Sequence, residues 1–129
     1  MSREPIPEDI NRFILLGIPS IPYLEAILLL KEDPAQAWDS RQLSKRLYLS
    51  DRDAGALLVA LNESGIASRV EGGDSAFRYA PITDVLRDLL DRLASIYPGN
   101  LIEVTHLVHS KTNKRARQFA DAFKLRKES

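Results

Sequence analysis

The chain has no cysteine in its 129 residues. That absence excludes a disulfide framework, a thiol nucleophile and every cysteine-ligated zinc or iron–sulfur site. An excess of one charge is missing too. Eighteen Lys and Arg balance eighteen Asp and Glu, so no global field recruits nucleic acid or an anionic membrane. Long apolar runs are lacking: Phe13 to Pro19 is too short to span a bilayer. The opening Ser2-Arg3-Glu4-Pro5 carries no signal-peptide pattern, so a soluble cytoplasmic protein with no membrane segment is expected. Catalytic signatures are equally scarce, with no G-x-S-x-G, no H-E-x-x-H and no glycine-rich loop opening a helix. Gly72-Gly73 reads as a hairpin tip, where the backbone N–H groups are not oriented to cradle a phosphate. The one ligand-like spacing, Glu103-x-x-His106-x-x-His109, reads as a polar helix face. The expectation is therefore no enzyme, no cofactor and no metal.

What is present describes a globular chain. Apolar residues make up 44% and charged residues 28%, which is enough to build one compact core. Charge is unevenly placed along it. Residues 1–105 carry 11 basic and 16 acidic side chains, and residues 106–129 carry 7 basic and 2 acidic. A basic end of this kind serves as a nucleic-acid arm or docks on the acidic body.

Hydrophobic spacing and caps predict the elements. Glu8 to Leu16 is a short helix ended by Gly17-Ile18-Pro19, and a second runs from Ser20 to Glu32, with Asp33-Pro34 as its stop. Trp38 is expected to pack over the core. Asp39-x-x-Gln42 and Ser50-x-x-Asp53 are capping boxes, which open a short helix and then a longer one ending at Gly65. On the longer helix Ala54, Leu57, Leu58 and Leu61 share one side. Ile66 to Glu71 and Ala76 to Tyr79 alternate as strands around Gly72-Gly73-Asp74-Ser75. Thr83 caps a helix to Tyr97, Pro98-Gly99 breaks it, and Leu101 to Val108 resumes it. Lys114 to Leu125 reads as a last helix, with Ala116, Phe119, Ala120 and Phe123 on one stripe. The fold class is mainly α with a small β-hairpin, with residues 1–81 as one domain and 82–129 as a helical extension.

Two helices joined by a brief turn and followed by a hairpin have the order of a winged helix-turn-helix. Leu43 to Ser50, together with Leu57-Leu58-x-x-Leu61-x-x-x-Gly65-Ile66, resembles that of MarR-like bacterial regulators over residues 21–80. Phe119 to Lys127 is similar to the tail of small uncharacterised bacterial winged-helix proteins, which implies no activity. The resemblance implies transcriptional regulation by binding double-stranded DNA, with the second helix in the major groove. Arg52 would then read a base, while Lys45, Arg46, Arg69 and Arg78 would meet phosphates. Residues 39–80 hold six basic and six acidic side chains, which counts against a strongly electrostatic binder. The same arc carries Gly55, Ala56, Val59 and Ala60, a small apolar strip that suits a protein partner instead. Both readings stand at this point. The apolar positions between Val85 and Val108 exceed what self-coverage needs, so a homodimer is expected.

Overall fold

A computed structural model of the chain describes residues 5–71 and 75–110. These residues are mainly helical, with one two-stranded antiparallel sheet. In order come α1 (Glu8–Gly17), α2 (Ile21–Glu32), α3 (Ser40–Leu47), α4 (Asp51–Glu63), β1 (Ala67–Arg69), β2 (Phe77–Tyr79) and α5 (Asp84–Ile96). A 3-10 turn, Tyr97–Gly99, follows, and residues 101–110 are helical, here α6. The hairpin tip at residues 72–74 and the expected last helix and basic tail lie outside the described residues.

Two compact units divide the chain, and they do not follow the split at residue 81 expected from sequence. One is Pro22–Ala94; the other joins residues 5–21 to residues 95–110. Most of α5 stays with the first unit for a physical reason. Its Leu90 and Leu93 are buried, and Asp91 pairs with Lys31 of α2 at 3.0 Å.

Within Pro22–Ala94, α2 buries Tyr23, Leu24, Ala26, Ile27 and Leu30. That coverage is wider than one stripe and marks a central helix. The capping box of α3 is complete: Gln42 N–H donates to Asp39 Oδ1 at 2.8 Å, and Asp39 N–H donates to Gln42 Oε1 at 3.1 Å. Ser50 caps α4 by accepting from Asp53 N–H at 3.0 Å. A Schellman pair closes α4, with Ile66 N–H donating to Leu61 O at 2.9 Å and Gly65 N–H to Asn62 O at 3.1 Å. Gly65 makes this possible at φ 77°, where a side chain would be strained.

The strands are shorter than expected, with Ala67 opposite Tyr79, Ser68 opposite Arg78 and Arg69 opposite Phe77. Phe77 and Tyr79 point inward and Arg78 outward, as the pleat requires. Trp38 adds a bridge that the sequence did not announce. Its N–H donates to Phe77 O at 2.7 Å, and its carbonyl accepts from Phe77 N–H at 2.8 Å. Trp38 is buried, as expected of the lone tryptophan.

In the other unit Ile10, Ile14 and Ile18 are buried, as are Val104 and Val108 of α6. Burial of those two valines outweighs their weak helix preference and keeps residues 101–110 helical. Asn100 bridges the break before them. Its carbonyl accepts from Val104 N–H at 2.9 Å, and its Nδ2 donates to Ile96 O at 3.2 Å.

Candidate nucleic-acid interface

The pair α3–α4 positions most of the residues singled out from sequence. A tight turn joins them, with Tyr48 in the left-handed region at φ 57° and ψ 46°. Leu49 N–H donates to Ser44 O at 3.0 Å to close it. Ser44 then ties the two helices together. Its hydroxyl, buried, donates to Asp51 Oδ1 at 2.7 Å, with the Arg41 carbonyl 2.8 Å away. Sequence reasoning missed Ser44, although a serine between Leu43 and Leu47 on the buried side of α3 is itself a signal.

Lys45 of α3 and Arg52 of α4 are exposed, as is Arg78 on the outer face of β2. None of the three makes an ion pair or ring contact with a described residue. Arg41, overlooked in the sequence, belongs with them: it sits one turn before Lys45 on α3 and is equally exposed. Arg46 and Arg69 are engaged at home. The Arg46 guanidinium lies 5.8 Å from the Trp38 ring centroid, and that of Arg69 lies 5.2 Å from the Phe77 ring centroid. Each stands over a buried aromatic of the sheet region while the residue itself remains exposed.

The apolar strip also divides. Ala56 is exposed and Val59 is 44% exposed, whereas Ala60 is half-buried. Gly55 does not face outward. It is half-buried, and a Cβ there would stand 3.5 Å from Ser40 Cβ, an ordinary contact that leaves room for a methyl group between α3 and α4. The buried side is Ala54, Leu58 and Leu61, with Leu57 half-buried.

Two buried tyrosines, Tyr23 and Tyr79, belong to the same unit, and the Tyr79 hydroxyl has no hydrogen-bond partner among the described residues. Tyr23 Oη donates to Ser64 Oγ at 2.9 Å, and burial pushes its pKa up, partly offset by that bond. Tyr79 is pushed up by burial and then by the Asp91 carboxylate, with Arg87 pulling the other way. In the other unit Glu103 and His106 line an open groove of about 880 Å³ with Asn11 and Asn100, and exposed His109 is not among its lining residues. Among the described residues no group of three or more His, Asp or Glu could hold a metal ion, and no single helix is long and apolar enough to cross a membrane. No family model, curated protein or solved structure matches the chain.

Proposed function

We propose that the chain is a winged helix-turn-helix module that binds double-stranded DNA, acting as a homodimeric bacterial transcriptional regulator and not as an enzyme. One observation carries the reading: the order α2, Trp38, α3, tight turn, α4, β1, β2, with Trp38 joined to Phe77 of the hairpin by a single antiparallel bridge. Support comes also from cations in the places such a module uses. Arg41 and Lys45 lie on the helix that crosses the backbone, Arg52 in the first turn of the recognition helix and Arg78 on the wing. Two of the six acidic side chains in residues 39–80 have roles in the fold, Asp39 as the cap of α3 and Asp51 as the acceptor of the Ser44 hydroxyl. The homodimer is supported by Leu101 and Ile102 of α6, 51% and 68% exposed. A cytoplasmic setting is part of the proposal.

The test is a shift assay with random duplex DNA at about 50 mM salt, where phosphate contacts are strongest. Binding that weakens steeply with salt is the expected result, and no binding under those conditions removes the reading. A second reading has its own observation: exposed Ala56 and Val59 fit a protein partner on the same helix. Retention of a defined partner without any DNA shift would establish it instead.

A further inference from the structure

We infer that Tyr48 is a DNA-backbone contact, its phenol hydroxyl donating to a phosphate where α3 passes into α4. The inference rests on the DNA-binding reading and adds to it a residue that charge counting overlooks.

Tyr48 occupies the left-handed region at φ 57°. A bulky side chain is unfavourable there, because its Cβ crowds the backbone. The end of α4 meets a similar need with Gly65 at φ 77°. Tyr48 recovers nothing by packing, since its side chain is 94% exposed. Strain that the fold does not repay is expected where a residue is used by something outside the fold.

The surroundings identify that something. Arg41 and Lys45 precede Tyr48 on α3, and Arg52 follows in the first turn of α4. All three are exposed and make no ion pair or ring contact with a described residue. The acid nearest Arg52 on its N-terminal side, Asp51, is held by the Ser44 hydroxyl. An exposed tyrosine among cations complements a polyanion, whereas an apolar protein pocket would call for the ring alone. In a helix-turn-helix the first helix crosses the phosphate backbone, and tyrosine hydroxyls are regular donors to phosphate oxygens. A phenol hydroxyl brings no positive charge, so such a contact supplies affinity without releasing a counterion.

That property makes the test specific. The full chain and its Tyr48→Gly, Tyr48→Phe and Lys45→Ala variants are titrated with random duplex DNA by fluorescence anisotropy across a salt series. Each is also melted and weighed by light scattering. Tyr48→Gly should melt no lower than wild type yet bind about tenfold more weakly at every salt, with an unchanged salt slope. Tyr48→Phe should lose most of the same affinity. Lys45→Ala should weaken binding and flatten the slope by about one unit. Wild-type affinity in Tyr48→Gly overturns the inference and leaves the DNA reading standing. So does a lower melting point, which would make Tyr48 a residue of the fold, or a change of mass with DNA binding intact, which would assign it to a protein contact. Absence of any wild-type DNA binding removes the broader reading and this one with it.

Discussion

At the residue scale the two functional readings part on a single helix. Arg52 is the one long cation of α4, and Val59 is its most exposed branched apolar side chain. Under DNA readout Arg52→Ala should cost about 1–3 kcal/mol on a specific site, with Val59→Ser nearly silent. Under protein recognition the order reverses. Shift assays and partner retention on both variants decide, and circular dichroism should stay native because Ala54, Leu58 and Leu61 hold the buried side. The tyrosines give a pH prediction of definite sign. Tyr23 and Tyr79 have raised pKa values when folded, so the unfolded chain ionises first as pH climbs. Their stability is complete below about pH 10 and is lost above it. Chemical denaturation between neutral pH and about pH 11 should show that fall, and a Tyr23→Phe, Tyr79→Phe double variant should flatten it. Gly65 offers a third check. A Cβ there would stand 2.6 Å from Ile82 Cδ1, but Ile82 is 75% exposed and can swing away. The backbone then decides, so Gly65→Ala should cost about 1–2 kcal/mol. The same cost is expected in an Ile82→Ala background, and rescue there would show that the clash was the cause.

At the element scale Trp38 is the joint of the Pro22–Ala94 unit. Its backbone extends the hairpin, and its ring is buried under the Arg46 guanidinium. Truncating a buried tryptophan costs about 3–5 kcal/mol, a large part of a small domain's stability. Trp38→Ala should therefore lower the urea midpoint severely. Trp38→Phe should lose clearly less, since the buried Nε1 has no hydrogen-bond partner among the described residues. A mild Trp38→Ala would mean that the buried ring is dispensable, since alanine keeps both backbone bonds to Phe77. Elements themselves were largely legible in the sequence. Asp39, Ser50 and Thr83 cap the helices expected of them, the last through Leu86 N–H at 3.1 Å. Caps are local interactions, set by residues three positions apart, so spacing alone reveals them. The Trp38–Phe77 pairing joins positions far apart in sequence, and no local rule announces it.

For the whole molecule the open matter is association. Leu101 and Ile102 in one unit and Ile82 and Val85 in the other are large, apolar and more than half exposed. Light scattering should return about twice the 14.5 kDa chain mass. An Ile102→Asp variant should return a monomer with its helices intact. A wild-type monomer at high micromolar concentration would end the homodimer proposal.

The amino-acid sequence by itself determined the helices among the described residues, their caps and the glycine at the end of α4, because each depends on neighbours within about one helical turn. It also supplied every cation of the candidate interface. Only the tertiary structure decided what stands beside each of them. Arg46 and Arg69 look like Lys45 and Arg52 in the sequence, yet each lies over an aromatic ring brought to it by the folded chain. Ala60 reads as part of an outward strip, yet the folded chain leaves it half-buried while Ala56 and Val59 are exposed. Charge and size belong to the residue, whereas availability depends on what packs beside it, and that is settled by contacts between distant segments.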